Sequence, residues 1–194
     1  MPENAHDLYQ RSVNALRTPP VAEWDTWPFD DNIRPRTLEA PAAEPPRDGE
    51  GGVDCDACAK PDADYLWTDD RWRVIAFGPS GLPVVVVLEP RAHYDTPSEL
   101  PDALAREMGV MLGRVERAVM SVDGIERVHI GRYGEGAAHL HWWFMGRPTG
   151  LRQLASSFAG IWDDVLPPTP DEIWRENVAQ VTAAMRAGDG DVPA

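Results

Sequence analysis

The sequence predicts an α+β fold: an antiparallel sheet with one long helix packed on it, C-terminal helices beyond and a Pro-rich N-terminal arm before. Three observations carry this reading. Val84-Val85-Val86-Val87-Leu88 is too short and too β-branched for a helix, and reads as a central strand buried on both faces. Leu100, Leu104, Met108, Met111, Leu112, Val115 and Val119 recur at helical spacing and form one apolar helix face. Segments of alternating apolar and polar residues lie on either side, and the order strands, helix, strands places that helix against one sheet.

Residues 1–50 read as an acidic arm in which Pro19-Pro20, Pro35, Pro41 and Pro45-Pro46 favour extended chain. Leu8, Val13 and Leu16 approach helical spacing, so a short helix is expected near the start. Trp24, Trp27 and Phe29 are expected to pin the arm down. Gly49-Glu50-Gly51-Gly52 breaks the chain, and a compact domain is expected over residues 51–148. Within it, residues 72–77 alternate as a half-buried strand, and Gly78-Pro79-Ser80-Gly81 makes a turn. The helix face from residue 100 stops near Asp123-Gly124. Residues 127–132 and 139–145 alternate again, joined through the small-residue loop Gly134-Glu135-Gly136-Ala137-Ala138.

Residues 149–194 form a helical extension. Leu151, Leu154, Ala155, Phe158, Ile161 and Trp162 keep helical spacing. Thr169-Pro170-Asp171-Glu172 opens a last helix, with Thr169 as N-cap, Pro170 in the first turn and Glu172 completing a capping box. Trp174, Val178, Val181 and Met185 supply its apolar face.

Composition narrows the partners. The 194 residues, 43% apolar, suffice for one domain with extensions. A formal net charge of -14 with no basic stripe excludes polymeric nucleic acid, whose affinity rests on phosphate neutralisation. A small anionic ligand remains compatible only with a locally positive pocket. No run of 18 apolar residues occurs, and the N-terminus lacks a charged-then-apolar pattern, so neither membrane insertion nor export is expected and the protein is read as cytoplasmic. In that setting Cys55 and Cys58, three residues apart, point to metal or redox chemistry rather than a disulfide.

On a strand over 139–145, His139, His141, Trp143 and Met145 share one face, while Leu140, Trp142 and Phe144 enter the core. Successive same-face residues stand about 7 Å apart, so two imidazoles follow one another along that face. Such a pair after a Gly-rich loop favours a functional role over a structural one. Cys55 and Cys58 can clasp one tetrahedral ion from a single turn. His93, directly after the central strand, and His139 are candidates for the remaining donors. Free thiols with two incidental histidines are the alternative.

The order Cys55-Asp56-Ala57-Cys58, apolar strand, Pro90-Arg91-Ala92-His93, long helix, strand and His139-Leu140-His141-Trp142-Trp143 resembles the histidine triad superfamily. Its metal pattern resembles the galactose-1-phosphate uridylyltransferase branch. The likeness runs from Cys55 to Arg147, about half of the chain. It implies a zinc ion of structural type on Cys55, Cys58, His93 and His139. It further implies His141 as a nucleophile attacking the α-phosphorus of a nucleotide derivative, through a nucleotidyl-histidine intermediate. The expected partner is a small-molecule nucleotide or phosphate ester, and homodimers are common among small relatives. Substrate contacts are expected from Gly134 and Gly136 by close backbone approach, from the cations Arg132 and Arg147, and from Trp143.

The chain departs from the family pattern in three places. Trp143 occupies the third histidine position, Met145-Gly146-Arg147 replaces the usual Ile-Pro-Arg, and residues 133–138 contain no Asn, Gln, Ser or Thr. These departures keep open a non-catalytic, zinc-stabilised nucleotide-binding or protein-interaction module, and more distantly a redox role for the cysteines.

Overall fold

The computed structural model describes residues 40–154 and 156–188. The short helix expected around Leu8 and the aromatic anchors Trp24, Trp27 and Phe29 lie outside the described residues.

Five strands form one antiparallel sheet: β1 (Trp67–Thr68), β2 (Trp72–Ile75), β3 (Val84–Pro90), β4 (Ile125–Gly131) and β5 (Trp142–Pro148). Their spatial order is β1-β2-β3-β5-β4, which puts β3 at the centre as its sequence requires. All seven β3 residues are buried. The helices are α1 (Asp56–Ala59), α2 (Asp102–Met120), α3 (Ala159–Val165) and α4 (Asp171–Ala187). The α+β class with a long helix on an antiparallel sheet is therefore the observed fold.

Strand periodicity divides the sheet into two faces. Trp72, Val74, Val84, Val86, Leu88 and Phe144 form the main core with Met111, Val115 and Val119 of α2 and Val178, Val181 and Met185 of α4. The opposite face carries Val85 and Met145, covered by Leu82, Leu154 and Ala159. Ile75, Val87 and Tyr65 pack beside them. Amphipathic helices cover one face, while shorter C-terminal segments cover part of the other.

Several boundaries differ from the sequence expectation, each for a local reason. The strand expected over 72–77 ends at Ile75, and Phe77 turns outward with 66% of its surface exposed. The two-residue strand β1 was below the resolution of pattern reading. Helix α2 begins at Asp102, because Leu100 closes a 3-10 turn over Pro97–Glu99 and Pro101 serves as N-cap. It ends at Met120, and Gly124, at φ 82°, turns the chain into β4.

The strand expected from residue 139 starts only at Trp142. His139, Leu140 and His141 form its approach, held by the Leu140 N–H to the Tyr94 carbonyl rather than by ladder bonds. The alternation still holds: Phe144 lies in the helix-side core, and Trp143 and Met145 lie on the other face.

The helix expected over 151–162 is broken. Two 3-10 turns, Arg152–Leu154 and Ser156–Phe158, precede the short α3. Thr169 does not cap the last helix. Its hydroxyl donates to the Leu82 carbonyl at 3.0 Å, and Pro170 stands at the N-cap with no side-chain cap bond. Tertiary bonding outcompetes the local capping box because Thr169 N–H is likewise taken, by the Ser80 carbonyl. Among the described residues no helix is long and apolar enough to cross a membrane.

Gly146 is held to glycine by its neighbours. A Cβ there would sit 2.8 Å from Val84 Cγ1 and 3.1 Å from Ile125 Cδ1, so the sheet and α2 close over a site that only hydrogen fills. Gly146→Ala is expected to destabilise by about 1–3 kcal/mol through overpacking. Paired with Val84→Ala, the total loss in a denaturant titration should be smaller than the sum of the two single losses. Strict additivity would rule out the contact as the cause.

Candidate functional site

The metal-type cluster is assembled by three separate pieces of chain. Gly49, at φ 73°, lets the incoming strand of backbone lie against Cys55, where a Cβ would stand 2.8 Å from Cys55 Cβ. Cys55 is the N-cap of α1, and its Sγ accepts from the Cys58 N–H at 3.4 Å, so the turn presents both thiols to one side. His93 arrives just beyond the end of β3, and His139 on the approach to β5.

One donor atom from each of Cys55, Cys58, His93 and His139 lies within 4.8 Å of every other. His139 Nδ1 stands 3.4 Å from Cys55 Sγ and 3.5 Å from Cys58 Sγ, and His93 Nδ1 3.6 Å from Cys58 Sγ. Zinc–sulfur bonds near 2.3 Å and zinc–nitrogen bonds near 2.0–2.1 Å put the sulfur–nitrogen edge of a tetrahedron at about 3.5 Å. These three sulfur–nitrogen distances match that edge.

Proton placement agrees. His139 Nε2 lies 2.8 Å from the Pro90 carbonyl, which can only accept, so the ring proton is on Nε2 and the Nδ1 lone pair is free for a cation. Burial, against the pull of that carbonyl, holds His139 below the usual histidine range and keeps it neutral. Burial first, then the neighbouring Cys55 thiol, pushes the Cys58 thiol up to about 11. Two thiols this close resist ionising together unless a cation joins them. Two sulfur and two imidazole nitrogen donors make up the four-ligand set of a structural zinc site.

Beside it opens a cavity of about 700 Å³, within the range of small-molecule sites. His139, His141, Trp143 and Met145 all line it, as the alternation of the histidine segment demands. His141 Nδ1 lies 2.7 Å from the His139 carbonyl. The same logic protonates Nδ1 and leaves Nε2 as the ring's free lone pair. Trp143 stands edge-on to His141, with ring centroids 6.2 Å apart, and is tilted against Phe77 at 5.8 Å. The tryptophan therefore forms a wall of the cavity rather than a plug.

Gly134, at φ 74°, and Gly136 also line the cavity. Arg132 and Arg147 do not. Arg132 donates to the Asp95 carbonyl at 2.8 Å, and Arg147 to the carbonyls of Pro148 at 3.2 Å and Leu151 at 3.4 Å. The charged lining is Asp48, Asp56, Glu89, Glu135, Asp163 and Asp164 against Lys60 alone.

Three contributions escaped sequence reasoning. Ile161, Asp163 and Asp164 of α3 line the cavity, although their spacing signalled only a packing helix. Arg47, with its carboxylate partner Asp95, also donates to the Gly134 carbonyl at 3.1 Å, and the Asp48 N–H donates to the Gly136 carbonyl at 3.1 Å. Thus residues 47–48 brace the loop on the cavity rim. Arg73 and Glu89 form a buried pair, and their one visible trace was a charge ending the valine run.

The fold and site together define an α+β protein with a structural zinc site next to a histidine-lined cavity. No protein-family profile and no curated protein sequence matches the chain. Solved structures do. A hypothetical histidine triad nucleotide-binding protein from Sulfolobus tokodaii aligns with a TM-score of 0.54 at 14% identity, covering 72% of this chain and 99% of its own. A histidine triad protein from Marinobacter aquaeolei aligns at 0.51 with 18% identity, covering 64% and 91%. Another from Sinorhizobium meliloti aligns at 0.51 with 18% identity, covering 63% and 91%. Likeness at such identities concerns the fold: the chain has the histidine triad fold.

Cys55→Ser is expected to lose stoichiometric zinc in elemental analysis and to melt well below the parent protein, because structural zinc binding is coupled to folding. Gly49→Ala should do the same more weakly, through its clash with Cys55 and its φ of 73°. Parent-like metal content and melting in Cys55→Ser would refute the four-donor site.

Proposed function

We propose that the protein cleaves or transfers nucleotidyl groups, acting at the α-phosphate through a nucleotidyl-histidine on His141. The supporting observation is the His141 Nδ1–H to His139 carbonyl bond of 2.7 Å, which fixes the tautomer in a residue lining the cavity. The Nε2 lone pair forms a bond to phosphorus while the bond from phosphorus to the leaving group breaks, and the leaving group departs with the electron pair and takes up a proton. Water or another hydroxyl acceptor then attacks the same phosphorus and releases a proton to solvent, while the N–P bond breaks with its electron pair returning to Nε2, which regenerates neutral imidazole. Histidine serves because it is nucleophilic near neutral pH and also a competent leaving group.

In this reading Gly134 and Gly136 admit phosphate oxygens close to backbone, and Trp143 with Phe77 offers a flat apolar surface for a base or sugar. Arg132 acts indirectly, holding the loop through Asp95, and Arg147 braces the chain after β5. The acidic rim selects against extended anionic ligands, so esters or amidates bearing one phosphate are the favoured class over polyphosphates. A cytoplasmic setting, where the thiols stay reduced, belongs to the same reading.

A second reading is a zinc-stabilised binding module without turnover, favoured by the scarcity of cations among the cavity residues. Incubation with a nucleoside phosphoramidate, a dinucleoside polyphosphate and a sugar nucleotide separates the two. The parent protein should turn over the single-phosphate compound fastest and yield an acid-labile adduct. His141→Ala should lose activity by at least about 10³-fold, with melting and zinc content unchanged. Equal rates for the two proteins would overturn the nucleophile, and saturable binding with no turnover would establish the module.

A further inference from the structure

A buried ionic cluster beneath the cysteine turn is used by neither the metal donors nor His141. Arg73 and Glu89 are direct cross-strand partners on β2 and β3. They pair at 3.0 Å and are 2% and 5% exposed. Tyr65 donates to the same Glu89 oxygen at 2.6 Å, and the Arg73 guanidinium lies over its ring, 4.5 Å from the centroid.

Arg73 Nη2 also donates to the Ala57 carbonyl, at 3.0 Å. Ala57 sits in α1 between Cys55 and Cys58. The sequence makes that carbonyl an orphan: its helical partner four residues on is Pro61, which has no N–H. A guanidinium reaching across from the sheet supplies the missing donor, with the Tyr65 hydroxyl more distant at 3.4 Å. The residue following Glu89 is Pro90, whose carbonyl orients His139. The pair thus contacts the cysteine turn through Arg73 and adjoins, through the chain at Pro90, the carbonyl that orients His139.

Stability alone does not account for this arrangement. Buried ion pairs seldom outperform apolar packing of the same volume, and here Arg73 Nε has no hydrogen-bond partner. We propose that Arg73 is a positioning residue for the metal site. It pins the α1 turn through Ala57 so that both sulfurs face the same side at metal-binding distance before the ion arrives. Glu89 and Tyr65 keep the guanidinium buried and aimed. The proposal rests on the zinc reading of the four-donor cluster.

Competition of full-length protein against a chromophoric zinc chelator tests it, with cobalt-substituted protein reporting the tetrahedral ligand field. Arg73→Met is expected to weaken zinc binding by about 10–100-fold, the usual effect of removing an outer-sphere partner. Arg73→Lys keeps the charge but cannot span Glu89 and Ala57 together, and should fall between. Because Arg73→Met leaves Glu89 buried and unpaired, the decisive protein is Arg73→Met with Glu89→Leu, an apolar pair. With saturating zinc its melting should return near that of the parent, while its zinc affinity stays low and its cobalt d–d bands appear only at higher cobalt. Zinc affinity within twofold of the parent in the double variant would overturn the proposal and reduce Arg73 to a counter-ion for Glu89. A parent protein that binds neither zinc nor cobalt would remove the zinc reading itself, and the proposal with it.

Discussion

The antiparallel register of β3 against β5 is the constraint on which the site depends. It pairs Val84 with Gly146 and Leu88 with Trp142, and its continuation brings the end of β3 alongside the histidine segment. There the ladder gives way to other bonds: the His139 ring to the Pro90 carbonyl, and the Leu140 N–H to Tyr94. His93 and His139, 46 residues apart by their numbers, become neighbours in a T-shaped ring pair 5.3 Å between centroids. A slip of one residue would send Trp143 into the helix-side core and Phe144 into the cavity, because side-chain period in a strand is two. Burial of β3 on both faces makes that slip prohibitive.

The two faces of the sheet divide the labour. Toward α2 and α4 the packing is apolar and conventional, and Gly146 marks how closely it shuts. Toward the site the same strands carry the buried Arg73–Glu89 pair and Trp143 among the smaller apolar clusters around Val85, Val87 and Met145. Helix α1 has four residues, too few to persist on its own hydrogen bonds. It is held by Gly49, by the Asp48 carboxylate near the Asp56 N–H, by Arg73 and by the metal donors.

The two histidines, two residues apart, meet different environments for one geometric reason. The His139 carbonyl accepts from His141 while the His139 ring donates to Pro90, so a single chain segment orders both tautomers. His139 is almost wholly buried among donors, whereas His141 is half-buried at a cavity whose charged lining is mostly carboxylate. That lining gives a physical ground for discrimination by ligand charge.

Much of this was legible in the chain itself. The valine run dictated a central strand, the apolar spacing from Leu104 to Val119 dictated α2, and the alternation after His139 decided which residues face the cavity. The cysteine spacing restricted those two donors to one turn. Local signals failed wherever a distant partner offered a better bond. Thr169 abandoned its capping box for Leu82, the 151–162 periodicity broke into 3-10 turns over the sheet, and the last strand began at Trp142 because loop contacts hold residues 139–141. The cations were the least legible: Arg132 and Arg147 lie near the motif in sequence yet turn to carbonyls, while Arg73, unremarkable in a strand, sits beneath the cysteine turn. Periodicity and spacing are properties of neighbouring residues, so the sequence determined the elements and their faces. Which carbonyl a buried guanidinium satisfies depends on chains brought together only by the sheet, and tertiary structure alone decided that.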